Sequence, residues 1–223
     1  MQMSLEKRRD RLKKWFDYIF KNATEAIINQ HIFWEVQDII RNNPDLQNQS
    51  NAFYVWMGST FVQSTVLAVR RQVDRDQNSA SLLRFLLELQ KFPDLISRQY
   101  HRSLYERPEY EEKVADEMTN YTYDEHVGAG ATVLDVDTIQ LEIDSLVDAS
   151  QKLHHYADRV VAHYDLRGLE HPTPKFDDLT NCLAVVEKLV LRYLVLLKGA
   201  AQEELLPTFL YDWKSVFRVQ WLR

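Results

Sequence analysis

Near the end of a long apolar helical repeat lies the polar cluster Tyr156-Ala157-Asp158-Arg159-Val160-Val161-Ala162-His163-Tyr164-Asp165. Histidine titrates near neutrality and can donate or accept a proton, while arginine offers a permanently charged planar fork for a phosphate. At about 100° per residue, His163, Tyr156, Arg159 and Lys152 share one flank of the helix, with Arg159 about 40° from His163. Asp158 and Ala162 point away. A protonatable ring and a permanent cation therefore share a semi-buried edge. The same residues also admit a structural reading, with His163 favoured by the helix-end dipole and Arg159 and Asp165 solvated or ion-paired.

Other constellations carry less chemistry. Arg71 and Asp74 sit one turn apart and either buttress the His163 region or close a local ion pair, and the ion pair is the expectation. His101, His126, His154, His155 and His171 are scattered, and His31 and Glu35 stand a turn apart without a second such pair. A four-helix metal site would need Glu-x-x-His pairs from facing helices, so neither metal nor cofactor is expected. Phosphate-loop, dinucleotide-turn and nucleophile-elbow patterns do not occur in the chain. The lone Cys182 lies between apolar residues and reads as core. The basic run Lys7 to Lys14, followed by Trp15, Phe16, Tyr18 and Phe20, reads as a helix end leading into the core rather than a nucleic-acid face.

The elements that must position these residues are helices. Ile139, Ile143, Leu146, Ser150, Leu153, Ala157, Val160 and Tyr164 form a stripe in steps of four and three. Val55, Ser59, Val62, Val66, Val69 and Val73 form another, thickened by Phe53, Trp56, Met57, Thr60 and Leu67, and this helix is expected to be central. Gly58, Ser59, Ser64 and Ala68 would let its neighbours approach closely. Breaks at the few glycines and prolines leave helices near 5–41, 51–75, 79–91, 94–106, 109–124, 137–165, 177–199 and 207–220. Carboxylates at Asp135-Val136-Asp137 and Asp177-Asp178 open two of them. The expected architecture is an all-α bundle in a single domain, 1–223, with an acidic insertion at 107–136 and an aromatic C-terminal helix within 205–223.

Composition narrows the setting. With 223 residues and 45% hydrophobic content the chain can bury a core, and its net charge of −6 argues against a general nucleic-acid coat. One cysteine gives no intrachain disulfide, and the charged start lacks an apolar signal segment, so a cytoplasmic protein is expected. The apolar run Leu183 to Leu197 carries Glu187, Lys188 and Arg192, which fits a packed helix and no membrane span.

Three segments in order carry a family likeness. They are Val69-Arg70-Arg71-Gln72-Val73-Asp74-Arg75-Asp76 with Ser79-Ala80-Ser81-Leu82-Leu83, then Ala157 to Asp165, then Asp212-Trp213 to Phe217 and Trp221. Together they resemble the HEPN superfamily of helical bundles, in the branch related to AbiU-type abortive-infection proteins. The resemblance implies a core of long antiparallel helices, a homodimer, and RNA cleavage or RNA binding in a defence or toxin-type system. HEPN ribonucleases place an arginine, often followed by a polar residue, with four to six residues between it and a histidine at the dimer interface. If His163 is that histidine, the arginine's place is held by Ala157 and the polar place by Asp158, with Arg159 three intervening residues before the ring. The expected catalytic pair is His163 and Arg159, supported by Tyr156, Arg71 and Asp74. Ala157 favours a second reading, a noncatalytic module that offers its grooves or aromatic end to a protein partner, with a structural His163 cluster.

Overall fold

The computed structural model describes residues 3–47, 52–106, 108, 111–158 and 174–219, and among these it is an all-α bundle without strands. Helix α1, Leu5–Arg41, starts where the Ser4 hydroxyl accepts the Lys7 amide at 3.4 Å. Its Leu12, Phe16, Ile19, Ala23 and Ile27 are buried at steps of three and four, so one face runs along the core for much of its length. A single turn, α2 (Pro44–Gln47), leads to α3, Ala52–Gln72. Then follow α4 (Leu82–Lys91), a 3-10 turn at Pro93–Ile96, α5 (Arg98–Ser103), α6 (Glu112–Val127), α7 (Val136–Tyr156), α8 (Phe176–Lys198) and a 3-10 stretch at Trp213–Arg218.

The core forms where α7 packs on α8 and α4, α1 on α3 and α8, and α3 on α7 and α8. Ile139, Ile143, Leu146, Ser150, Leu153 and Ala157 are all buried, as the α7 stripe predicts, while Val160 and Tyr164 lie outside the described residues. In α8, Leu183, Val186, Leu189, Val190 and Tyr193 to Leu197 are buried, so this run is a core helix. Cys182 is among them, and burial pushes its thiol up to about 12. Asp135 caps α7 by accepting the Thr138 amide at 3.0 Å. Gly199 ends α8 in the left-handed region at φ 66°, with Leu104 Cβ 3.3 Å from where a side chain would begin.

Helix α3 is central only in its second half. Val66, Val69 and Val73 are buried and Val62 is partly buried, but Val55 is 69% exposed, and Phe53, Trp56 and Ser59 also face outward. Phe61 marks the change, stacked on Phe33 of α1 with centroids 4.0 Å apart. Among the described residues α3 is the one helix long and apolar enough to cross a membrane, although its second half is packed into the bundle.

Two further segments depart from the periodicity. The expected aromatic helix near 207–220 is a 3-10 stretch at Trp213–Arg218 preceded by irregular chain. Leu205 plugs into the core and its amide donates to Glu187 Oε1 at 2.8 Å, which takes a helix-forming donor out of use, and Pro207 lacks one altogether. The acidic stretch 107–136 contributes core as well as surface: Tyr123 and Leu134 are buried, and the Tyr123 hydroxyl donates to the Ile96 carbonyl at 3.0 Å.

Candidate functional site

Helices α3 and α7 end side by side, and a groove of about 310 Å³ opens between their C-terminal turns. Arg70, Arg75, His154 and His155 bring cationic or protonatable groups to it, facing Asp74 and Asp76 of the loop that follows α3. Helix C-termini favour such cations, because the last carbonyls carry partial negative charge. The loop is held by its own side chains. Asp74 Oδ1 accepts the Asp76 amide at 3.0 Å, Asp76 Oδ1 accepts the Asn78 amide at 2.8 Å, and the Ser81 hydroxyl donates to the Asp74 carbonyl at 2.5 Å.

Asp158 ties the two helix ends together. Arg70 Nε donates to Asp158 Oδ1 at 2.7 Å, and His154 Nε2 lies 3.4 Å from Asp158 Oδ2. Partial burial works against ionisation of Asp158, but the Arg70 hydrogen bond and the nearby His154, Arg70 and His155 groups outweigh it and hold the carboxyl below its ordinary value. The other ring nitrogen of His154, Nδ1, is buried without a hydrogen-bond partner among the described residues.

The residues expected from sequence meet different fates. His163 and Arg159 lie outside the described residues. Tyr156 is half-buried and packs on the core. Ala157, which holds the arginine's place if His163 is the family histidine, is 0% exposed within the core. Arg71 and Asp74 do not form the expected ion pair, because the Asp74 carboxylate is turned to the Asp76 amide and Arg71 faces a second groove beside Tyr18 and Asn22. Lys152 leaves the site to meet Asp178 of α8 at 2.8 Å.

Sequence reasoning passed over Arg70, Arg75, His154 and His155. Arg70 and Arg75 stand inside the segment Val69 to Asp76, which was the available signal. The partner of Arg70 across the groove, Asp158, lies 88 positions away, a relation that no local pattern encodes.

Several charged and titratable groups elsewhere have structural uses. Arg8 and Arg11 both pair with Glu88, at 2.9 and 2.7 Å, and Arg9 Nε donates to the Leu95 carbonyl at 2.8 Å. The basic start of α1 is thereby bound to the α4 region. Glu35 pairs with Lys214 of the C-terminal segment, while His31 stacks on Phe209. Among the described residues no group of three His, Cys, Asp or Glu side chains converges to hold a metal.

Comparison with known proteins gives one match. The family model HEPN_AbiU2, described as AbiU2, matches residues 9–215. No curated protein matches, and no solved structure matches.

Proposed function

The chain belongs to the HEPN family AbiU2, and from that premise we propose that it acts on RNA in an abortive-infection or toxin-type system. In this reading His163 exchanges protons with the reacting oxygens of the RNA backbone, and Arg159 offsets the negative charge that develops on the phosphate. Both steps use protein groups alone, so cleavage proceeds without a metal ion. The observation that carries the reading is the groove holding Arg70, Arg75, His154 and His155, which opens beside Asp158 at the polar place of the family pattern. In a chain of net charge −6, with Asp74 and Asp76 in the groove and Arg70 paired with Asp158, the phosphate contact falls to Arg75.

The proposed working form is a cytoplasmic homodimer. Support comes from α3: residues 46–69 contain no charged side chain, and Phe53, Val55 and Trp56 are exposed. A face without charge can meet its own copy without like-charge repulsion.

The burial of Ala157 favours a second reading, in which the bundle binds a protein partner and the His163 cluster is structural. Incubating the pure protein with mixed single-stranded and structured RNA in chelator, beside His163→Ala, separates the two. Cleavage that persists in chelator and falls by orders of magnitude in the variant supports the enzyme. Equal cleavage in both samples, or neither cleavage nor binding at low salt, supports the interaction module.

A further inference from the structure

The α3–α4 corner has two sides, and the site described above occupies one of them. On the other side a groove of about 280 Å³ lies between α1 and the end of α3. Three side chains give it the means to hold a nucleotide. Tyr18 is 67% exposed on its rim, a flat ring with no aromatic partner among the described residues. Asn22 accepts the Gln72 amide on Oδ1 at 2.8 Å, which fixes its orientation and leaves its own N–H donors over. Arg71 forms no ion pair or hydrogen bond among the described residues.

Arg75, likewise unpaired among the described residues, lines the groove between α3 and α7, so the corner carries one such guanidinium toward each groove. Surface cations in an acidic protein ordinarily find carboxylates. Here the candidate carboxylates have other partners: Glu25 is 4.0 Å from Lys21, and Asp74 accepts the Asp76 amide. Two unpaired guanidiniums on opposite sides of one short loop can each take a phosphate of a flexible strand that crosses it. An exposed ring beside one of them matches the base between. A duplex is too stiff and wide to follow both sides of such a corner.

We propose that single-stranded RNA crosses the α3–α4 corner and seats one nucleotide in the Tyr18 groove, its base on the Tyr18 ring and against the Asn22 amide, its phosphate on Arg71. This inference rests on the RNA reading given above and extends it to the substrate's form and path.

The test uses the full chain carrying His163→Ala, so that the probe stays intact, and fluorescence anisotropy with labelled single-stranded RNA of two and ten nucleotides. Tyr18→Ala should weaken ten-nucleotide binding about tenfold or more and leave the two-nucleotide probe unchanged, while Tyr18→Phe keeps parental affinity. Arg71→Gln should reduce the slope of log affinity against log salt by about 0.7, the loss of one phosphate contact on a single strand. A duplex of the same sequence should be indifferent to all three changes. Parental affinity in Tyr18→Ala and an unchanged salt slope in Arg71→Gln would overturn this path and leave the RNA reading standing. Equal loss in Tyr18→Phe would overturn the stacking. A parent that binds neither RNA would overturn the RNA reading itself.

Discussion

Arg70 and Asp158 stand 88 positions apart in the chain and 2.7 Å apart in space, with Arg70 Nε donating to Asp158 Oδ1. The pair joins the last turn of α3 to the end of α7 and fixes the distance across the candidate groove. Asp158 follows Ala157, which holds the arginine's place if His163 is the family histidine, and the arginine that meets Asp158 comes from another helix. The consequence is a division of roles. Arg70 positions the end of α7, His154 shares Asp158 with it, and Arg75 and His155 are left to line the groove.

The pair should matter more for binding than for stability. Arg70 and Asp158 side chains are 44% and 42% exposed, so Arg70→Gln should cost under about 1 kcal/mol in urea unfolding. RNA affinity should fall by a larger factor, because the groove loses a cation and its wall. Asp158 contributes stability above the ordinary carboxylate range, and that share is lost as pH falls through its depressed value.

Ala157→Arg should not restore a family-type catalyst. The site is 0% exposed, so a guanidinium there would be buried without a partner, at a cost of about 3 kcal/mol or more. Chemical denaturation measures the loss. A variant that folds with parental stability and cleaves RNA faster would show that this turn opens toward the groove.

Acidification should destabilise the protein through His101. The ring is 0% exposed, with Nδ1 3.0 Å from the Leu196 carbonyl and Nε2 2.7 Å from the Thr122 hydroxyl, against the Tyr105 and Tyr123 rings. Burial lowers its pKa from 6.5; the Leu196 hydrogen bond opposes this, and His126 and Arg98 add to it. The unfolded chain therefore binds more protons between the two values, so the stabilisation is full above about pH 6.5 and declines below it. His126, lowered chiefly by burial, acts in the same direction. Urea midpoints measured from pH 7.5 to 5 should fall in the parent and fall less steeply in His101→Gln.

The C-terminal segment should act as a structural strap. Leu205 is 3% exposed, so Leu205→Ala should cost about 2 kcal/mol or more, read as a lower thermal midpoint. Deleting residues 205–223 should cost more, since it also removes Phe209 from His31 and Lys214 from Glu35.

Light scattering at micromolar concentration should give a dimer mass for the parent and a monomer mass for Trp56→Glu. Trp56 is 60% exposed, so the fold of a single copy should survive the change, which circular dichroism can verify. A monomeric parent would remove the homodimer and leave the groove intact.

Much of this protein was decided locally. Helical period depends on residues three and four apart, so the α7 stripe Ile139 to Ala157, the buried face of α8 and the Asp135 cap were all legible in the chain. Membership of the HEPN type was legible as well: three short segments in order suggested it, and the family model matches residues 9–215. Tertiary structure decided what period cannot express. The α3 stripe is equally apolar at Val55 and Val66, yet one is exposed and the other 0% exposed, because burial depends on where the neighbouring helices cross. Arg71 and Asp74 had the right spacing for an ion pair, but the turn after α3 gave the Asp74 carboxylate an amide partner instead. The pairing of Arg70 with Asp158 depends on two helices ending at the same height, a relation between distant parts of the chain that only packing of the whole bundle sets.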